Sequence, residues 1–457
     1  MRPASVLGLV ASASAAAVTV NTTATATSAA ASSTVSASAG DSNTTATMWA
    51  MSTDSEFDFH LQMLLSLASG GGSSSGEILR AASQITPGDF ESFYTEMNFL
   101  AKSIHNMGSA AEAAGFSVSA RDAYFRSASY FRAADFFLHH NKSDPRLTTL
   151  WDAQLEDFGK AISLLSPPGE RIWVPGPGYD IPLYFFPAKR AHGSYDSALP
   201  TVLIGTGYDG AQEELYHGYC THVVERGMNC ITYEGPGQPT VVRRSGVGFT
   251  PEWWTVVTPI MDYLLQYRTA DVDGTRIALA GESFGGQLVP LALTHESRFA
   301  AVMLIDGIVS VYTTIASQYP SILLDPLEAG NATEFDTIVE EIYNAGLGGT
   351  AFKWSVDQGL FSFATDSPYV WLSELHKFDI NATVLSQINV PVFVGAGQID
   401  EQAPGQAPQV WHMLGKGQPS FYYEFKAALG GGLHCQIGAE AQLADVSLGW
   451  LADIFNM

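Results

Sequence analysis

Apolar side chains recur at helical spacing through the first part of the chain, from residue 57 to about residue 165. They repeat every three or four residues, the spacing that places side chains on one face of an α-helix. The first stripe follows Thr86-Pro87-Gly88-Asp89, which predicts a helix with Thr86 as its capping residue and Pro87 in the first helical position. Because such stripes pack helices on one another, residues 56–166 are predicted to form a helical domain. The three stripes are Phe90, Phe93, Met97, Leu100 and Ile104; Ala123, Tyr124, Ala128, Phe131, Ala134 and Leu138; and Leu147, Leu150, Trp151, Leu155, Phe158 and Ile162.

The pattern changes after Pro167-Pro168, where short apolar runs alternate with helical patterns. Runs at 173–174 and 183–186 are separated by a Pro/Gly turn and predict a β-hairpin. Buried strands separated by helices are typical of a largely parallel sheet with helices on both faces, so residues 167–457 are predicted to form an α/β domain. Within it, residues 308–379 are rich in aromatic side chains and too long for an ordinary connection, which makes them a candidate lid. The other apolar runs are 201–204, 230–233, 277–280, 302–305, 392–394 and 422–425.

A serine lies between one of these strands and the helical pattern after it, in Gly281-Glu282-Ser283-Phe284-Gly285-Gly286. In a sharp strand-to-helix turn a serine hydroxyl is exposed at the carboxyl end of the strand, and the flanking glycines allow the close approach of strand and helix. The helix N-terminus supplies N–H groups that can stabilise an oxyanion. The G-x-S-x-G pattern is weak by itself, and its position makes Ser283 a candidate nucleophile.

A nucleophilic serine needs a base and an acid that orients the base. The order serine, acid, histidine predicts an acid after a later strand, and Asp400 ends the turn after the run 392–394. Of the 11 histidines, His434 alone follows that strand and lies in a glycine-rich loop. We therefore expect Ser283, His434 and Asp400 to form a triad, with the N–H groups of Phe284 and Tyr208 as the oxyanion hole.

A competing pattern precedes the serine. Residues 205–210 form G-x-G-x-x-G between a strand and a helix, and Glu234 ends the next strand, as a dinucleotide-binding site requires. Two features argue against an NAD(P)-dependent oxidoreductase. Glu234 is followed by a rigid Gly-Pro-Gly turn, which is unlike a ribose-binding loop. A serine hydrolase also places its second oxyanion donor in a glycine loop like that of residues 205–210. The hydrolase interpretation is favoured.

Charge and cysteine content exclude several classes of protein. A net charge of −24 argues against nucleic acid as a partner, and no apolar run approaches the length of a membrane span. Three cysteines give neither a disulfide framework nor the spacing of a metal site, so no metal is expected, and Cys435 is predicted to be a small buried apolar residue. A small-molecule substrate is the expected partner, and a homodimer is possible.

The N-terminus resembles a secretory signal. Residues 1–20 combine one basic residue, a short apolar segment and small residues, and residues 21–55 are a low-complexity Ala/Ser/Thr segment. We expect a secreted glycoprotein; the alternative is a disordered tail on a cytoplasmic protein. The N-x-[ST] sequons begin at Asn21, Asn43, Asn141, Asn331 and Asn381.

Separated motifs together resemble the α/β-hydrolase superfamily, and within it the branch of bacterial 2,6-dihydropseudooxynicotine hydrolase and fungal polyketide-modifying hydrolases. Those fungal enzymes include fusarin-type, cytochalasan-type and melanin chain-shortening hydrolases. The resemblance runs from about residue 57 to the C-terminus. The chain departs from the usual pattern at Pro239 and Glu282, both near the expected pocket. The motifs are residues 87–92, 119–124, 207–214, 234–238, 281–286, 399–401 and 432–436.

The resemblance implies an N-terminal helical cap over the active site and catalysis without a cofactor by Ser283, Asp400 and His434. By similarity, Glu234 tunes the serine, although it is equally compatible with a turn carboxylate. The expected activity is cleavage of an ester, lactone or activated C–C bond in a polyketide-like or aromatic secondary metabolite. The alternatives are a secreted carboxylesterase of broad specificity and a non-catalytic ligand-binding protein on a hydrolase scaffold.

Overall fold

A computed structural model describes residues 48–189, 198–415 and 420–457. The predicted signal peptide, most of the low-complexity segment and the sequons at Asn21 and Asn43 lie outside the described residues. Within these three ranges, no helix is both long enough and apolar enough to cross a bilayer.

In the described part of the chain, five α-helices precede the sheet. Asp89 caps the longest of them, because its carboxylate accepts hydrogen bonds from the N–H groups of Glu91 and Ser92. The prediction of Thr86 as the cap is therefore wrong: Gly88 adopts a left-handed conformation (φ 79°) that separates Thr86 and Pro87 from the helix. The helices are α1 (Ser55–Ser66), α2 (Ser75–Ala82), α3 (Phe90–Ala113), α4 (Ser117–Asp135) and α5 (Pro145–Ser163).

Eight strands then form one sheet in the order β1-β2-β4-β3-β5-β6-β7-β8. β1 and β2 are the predicted hairpin and pair antiparallel, as do β2 and β4, whereas every other neighbouring pair is parallel. The predicted strands and the α/β class are confirmed. The strands are β1 (Glu170–Pro175), β2 (Asp180–Phe186), β3 (Leu199–Gly205), β4 (Asn229–Tyr233), β5 (Val272–Glu282), β6 (Ala301–Ile305), β7 (Val392–Gly397) and β8 (Ser420–Phe425).

Helices connect the parallel strands. Five of them lie within the aromatic segment 308–379, after β6. The helices are α6 (Gln212–Leu215), α7 (Thr221–Glu225), α8 (Pro239–Ser245), α9 (Trp254–Tyr267), α10 (Gly285–Ala292), α11 (Val311–Ser317), α12 (Ser321–Glu328), α13 (Ala332–Ala345), α14 (Gly349–Ser362), α15 (Pro368–Leu375), α16 (Ala382–Leu385), α17 (Gln406–Met413) and α18 (Glu440–Phe455).

Alternation along the strands supplies two apolar layers, one on each face of the sheet. In β5, Ile277 and Leu279 pack with α9 and α10, whereas Ala278 and Ala280 face the layer that contains α18. The side chains of both layers are buried, and β5 is therefore held firmly up to the point where Ser283 follows it.

The helix α5 joins the N-terminal helices to the sheet. Its Phe158 is fully buried, with its ring centroid 4.9 Å from that of Tyr184 in β2 and 5.6 Å from that of Phe125 in α4. Side chains of all five N-terminal helices also form a separate apolar cluster. The third predicted stripe thus packs against the sheet as well as against the other helices.

The structure corrects the expectation drawn from the cysteines. Cys220 and Cys230 form a disulfide on the sheet face opposite α9 and α10, although the two residues are only ten positions apart. Cys220 precedes α7 and Cys230 lies in β4, so the bond joins a strand to the helix before it. Cys435 is free and buried, as predicted.

Candidate active site

Ser283 occupies the sharp turn between β5 and α10. Its φ of 57° is a left-handed conformation that L residues seldom adopt, and its N–H donates to the Ile305 carbonyl at 2.5 Å. A side chain at Gly286 would collide with the Asp306 carbonyl oxygen, which explains the glycine there. The turn therefore places Ser283 directly after the carboxyl end of β5.

His434 lies between the other two predicted residues. Its Nε2 is 2.9 Å from Ser283 Oγ, and its Nδ1 is 2.9 Å from Asp400 Oδ2. Asp400 Oδ1 accepts the N–H groups of Gln402 and Ala403, which fixes the carboxylate in the turn after β7. The structure thus brings together three side chains that are 117 and 34 positions apart in the sequence.

Burial and neighbouring charge act in opposite directions on the imidazole. Burial lowers the pKa of His434, but the neighbouring Cys435 and the charge and hydrogen bond of Asp400 raise it well above the usual value of 6.5. Because burial raises the pKa of the Cys435 thiol to about 12, that thiol is uncharged at neutral pH and Asp400 supplies the lasting charge. Burial also raises the pKa of Asp400, yet the charge and hydrogen bond of His434 lower it overall. The pair favours an imidazolium beside a carboxylate.

A second buried carboxylate faces the same histidine, and the sequence reasoning missed it. Asp306 directly follows β6, and its Oδ2 lies 3.6 Å from His434 Nδ1. The signal that could have found it is the rule that selected Asp400, an acid at the carboxyl end of a parallel strand.

The loop that carries His434 has a strained backbone and is held by hydrogen bonds to Asp306. Cys435 and Gln436 have φ values of 52° and 56°, and a left-handed non-glycine residue costs roughly 1–2 kcal/mol. Asp306 accepts the Cys435 N–H at 2.8 Å and the Gln436 side-chain amide at 2.7 Å. These contacts offset part of the strain and fix the imidazole.

The glycine loop after β3 lies against the serine. A Cβ atom on Gly207 would stand 3.0 Å from both Ser283 Oγ and the Phe284 nitrogen, so only glycine leaves that space open. Gln238 holds the loop by donating to the carbonyls of Thr206 and Gly207 at 2.9 and 3.1 Å. Within the described ranges, neither Phe284 N–H nor Tyr208 N–H donates to a protein acceptor. Two unused donors therefore flank the space beside Ser283.

Glu234 is fully buried and bonded to backbone. Its carboxylate accepts the N–H groups of Gln212 and Thr240 at 3.1 and 2.7 Å, which joins the first turns of α6 and α8. Burial raises its pKa, whereas those hydrogen bonds lower it. Among the described residues it makes no hydrogen bond to Ser283, so the observed contacts are those of a turn carboxylate, and a tuning role stays a prediction.

The two departures from the family pattern have local explanations. Pro239 occupies the first turn of α8, where a missing N–H costs nothing. Glu282 ends β5 beside the nucleophile, and burial raises its pKa to about 8, with the nearby acids Glu214 and Glu440 adding to the rise. Glu282 is therefore largely protonated at neutral pH.

One cluster of potential metal ligands coincides with this site. Asp306, His434 and Cys435 place one ligand atom each within 4.8 Å of one another. Both His434 nitrogens are already engaged by Ser283 and Asp400, and the Asp306 oxygens by Cys435 and Gln436. The donors are arranged for hydrogen bonding within the site.

Side chains of the N-terminal helices reach the same edge of the sheet. Arg132 of α4 donates to the carbonyl of Asp209, the residue after Tyr208, and is itself buried with Asp135. Gln358 of α14 donates to the Tyr208 carbonyl at 3.3 Å. The helical region and the segment 308–379 therefore both contact the loop beside Ser283.

Comparison with known proteins finds related hydrolases. A model of the prolyl oligopeptidase family matches residues 258–338, which include Ser283. The hydrolyase poxO of Penicillium oxalicum is 30% identical over 73% of this chain and 80% of its own length. The 20-hydroxy-prefusarin hydrolase FUS2 of Gibberella moniliformis is 28% identical over 84% of this chain and 93% of its own length.

A solved structure supports the fold. The crystal structure of 2,6-dihydroxy-pseudo-oxynicotine hydrolase superposes with a TM-score of 0.65 at 20% identity, covering 86% of this chain and 95% of that protein. The chain belongs to the α/β-hydrolase family that includes these fungal hydrolases.

Proposed function

We propose that the protein is a serine hydrolase that cleaves an ester, lactone or activated C–C bond of a polyketide-like or aromatic secondary metabolite. The observation that carries the proposal is the pair of 2.9 Å contacts that connect Ser283, His434 and Asp400 at the carboxyl edge of the sheet. Nucleophile, base and orienting acid are each within hydrogen-bonding distance, as such chemistry requires.

The geometry supports a two-step mechanism. Ser283 Oγ attacks the substrate carbonyl while its proton passes to His434 Nε2, and Asp400 stabilises the imidazolium through Nδ1–H. The N–H groups of Phe284 and Tyr208 stabilise the tetrahedral oxyanion. Collapse of this intermediate expels the leaving group, which takes the proton from His434. Water then attacks the acyl-enzyme while His434 accepts its proton, and His434 returns that proton to Ser283 Oγ as the acid product leaves.

The relatives support a secondary metabolite as substrate, since FUS2 is named for action on 20-hydroxy-prefusarin. The residue after the nucleophile is firmly packed, since the Phe284 ring is fully buried and lies 5.2 Å from those of Phe249 and Phe378. In a β-dicarbonyl substrate, the same tetrahedral intermediate expels an enolate, which gives retro-Claisen cleavage. A broad carboxylesterase would use the same residues.

The helical region is proposed to act as a cap, with domain boundaries at 56–166 and 167–457 and a lid at 308–379. Support comes from Arg132 and Gln358, which bind the loop that carries Tyr208 from these two segments. A roof over Ser283 would exclude water from the acyl-enzyme and bury most of a small substrate.

We also propose that the protein is secreted. The Cys220–Cys230 disulfide is compatible with an oxidising compartment, as is the signal-like N-terminus. N-terminal sequencing of protein recovered from the culture medium tests it, and a chain found only inside cells with residue 1 intact would contradict it. Sedimentation of the same sample tests the proposed homodimer.

Covalent labelling tests the proposed chemistry. Folded protein should gain one fluorophosphonate adduct by intact mass, located on Ser283 by peptide mapping. Ser283→Ala should abolish both the adduct and turnover of acyl esters and β-diketones, whereas Ser119→Ala, at an exposed position on α4, should change neither. Absence of an adduct on the folded wild type would contradict the proposal and favour a ligand-binding protein.

A further inference from the structure

We infer that Asp306 is a positioning residue that holds the His434 loop and serves, with Asp400, as a second carboxylate partner of the imidazole. The inference rests on the proposed function, because it assigns a role in catalysis by Ser283. It concerns the acid side of the triad, which the sequence pattern attributes to Asp400 alone.

The position of Asp306 in the sheet explains how it reaches both partners. It follows β6, which pairs with β5 on one side and with β7 on the other. Ser283 follows β5, and Asp400 lies in the turn after β7. Asp306 therefore lies at the same edge between the nucleophile and the acid, and the Ile305 carbonyl before it accepts the Ser283 N–H.

The first role of the Asp306 carboxylate is to fix the loop that carries His434. It accepts one hydrogen bond from the Cys435 backbone and one from the Gln436 side chain, the two left-handed residues directly after His434. Asp306 is 1% exposed, so water does not compete for these contacts. A loop in an uncommon conformation is thereby fixed in the arrangement that directs Nε2 at Ser283.

The same carboxylate also faces the proton on Nδ1. Asp306 Oδ2 is 3.6 Å from Nδ1, compared with 2.9 Å for Asp400 Oδ2. In the wild type, Nδ1–H donates to Asp400, and Asp306 contributes charge at a longer distance. When Asp400 loses its charge, a small rotation of the imidazole ring would let Nδ1–H donate to Asp306. The imidazole neither gains nor loses a proton in this rotation.

Asp306 carries charge under working conditions. Burial raises its pKa to about 6, with the charge of Asp400 adding to the rise and that of His434 opposing it, so it is mainly ionised at pH 7 and above. The other titratable groups that interact with His434 are Asp400, Cys435, Glu282 and Asp209. Of these, Cys435 and Glu282 are largely uncharged at neutral pH.

The test compares Asp306→Asn, Asp400→Asn and the double variant with the wild type. The amide introduced by Asp306→Asn keeps one oxygen for the Cys435 N–H. Gln436 Nε2 faces Asp306 in the wild type, so a half-turn of the Gln436 amide is needed to present Oε1, which has no hydrogen-bond partner among the described residues, to the new NH₂ group. The substitution therefore removes charge while the loop remains held. Asp157→Asn is the matched control, because Asp157 is a buried carboxylate that binds a histidine, His105, in the helical region.

We expect kcat on an activated ester to fall about tenfold in Asp306→Asn and about a hundredfold in Asp400→Asn, with KM little changed. The double variant should fall about ten-thousandfold, which is more than the product of the two single effects and is the loss expected when a triad has no acid. The acid limb of the pH profile should move to lower pH by about one unit in Asp306→Asn, because an imidazolium has lost a nearby negative charge.

Two outcomes would overturn the inference. In the first, Asp400→Asn is as inactive as the double variant, and Asp306→Asn has the activity of the wild type. The other is a loss in Asp306→Asn that is equal at all pH values and matched by lower thermal stability, which a purely structural role predicts. Fluorophosphonate labelling distinguishes failure of this inference from failure of the proposed function. If the wild type is labelled and either outcome is observed, only the role of Asp306 is refuted. If the wild type is not labelled, the role of Asp306 and the proposed function are both refuted.

Discussion

Gln358 and His139 are 219 positions apart, yet Oε1 of Gln358 lies 2.6 Å from Nδ1 of His139. The other end of the Gln358 amide donates to the Tyr208 carbonyl and to Ser362 Oγ. One side chain of α14 thus connects the end of the α4 region to the loop beside Ser283. This arrangement couples the N-terminal helices to the proposed oxyanion hole.

Replacing that glutamine should impair catalysis. Gln358→Ala is expected to lower kcat about tenfold, because the Tyr208 loop loses an anchor and one oxyanion donor is typically worth about a hundredfold or more. Steady-state kinetics on an activated ester measure the effect. Gln84→Ala, at an exposed position after α2, is the control and should match the wild type. An unchanged kcat in Gln358→Ala would show that the loop is fixed without this contact.

The pH profile should report the raised pKa of His434. The base must be neutral to accept the Ser283 proton, and the charge of Asp400 helps to keep the imidazole protonated as pH falls. We therefore expect kcat/KM to rise with pH through a pKa above 6.5 and to fall below it. Profiles recorded with circular dichroism at each pH separate titration from unfolding. An acid limb below about pH 6 on folded protein would contradict the prediction.

The contact of α5 with the sheet should contribute strongly to stability. Phe158→Ala removes a fully buried ring that lies between Tyr184, Phe125 and Tyr216, and should lower the free energy of unfolding by about 3–5 kcal/mol. Urea denaturation gives this value. Phe116→Ala replaces a ring that is 64% exposed and should cost less than about 1 kcal/mol. Equal effects would mean that α5 is not firmly packed on the sheet.

Deleting the helical region should abolish turnover of bulky substrates. A chain that begins after residue 165 would expose Tyr184 and Phe186, which α5 covers, and would lose the Arg132 contact to Asp209. We expect aggregation in size-exclusion chromatography and increased binding of a hydrophobic dye. A soluble monomer with unchanged specificity for large and small esters would establish the helices as an independent domain.

Thiol counting should detect the disulfide. Denatured, unreduced protein is expected to show one reactive thiol, that of Cys435, and three after reduction. The double variant Cys220→Ser, Cys230→Ser should be destabilised by about 2–3 kcal/mol, because the bond closes a short loop in the unfolded chain. Cys435→Ser is the control, since it should leave no thiol before reduction. Three thiols before reduction would contradict the assignment.

Local pattern was sufficient for the fold and for the order of the proposed triad. Strand runs such as 277–280 are buried on both faces, so their apolar composition is visible without knowing their neighbours. The turn around Ser283 depends on adjacent glycines, and Asp400 and His434 each follow a strand that can be recognised from its own residues. Local pattern does not identify the cap of α3, because the left-handed conformation of Gly88 decides where the helix starts.

Tertiary structure alone decided which side chains meet at the candidate active site. The sequence places Ser283, Asp400 and His434 at strand ends, but the distances among them depend on the pairing of β5, β6 and β7. Asp306 was overlooked because its importance arises from a loop 130 positions away that folds back onto it. The Cys220–Cys230 bond likewise depends on how the helix before β4 lies on the sheet. Composition and periodicity determine which segments are buried, whereas the partners of a buried polar group are set by packing between segments distant in the chain.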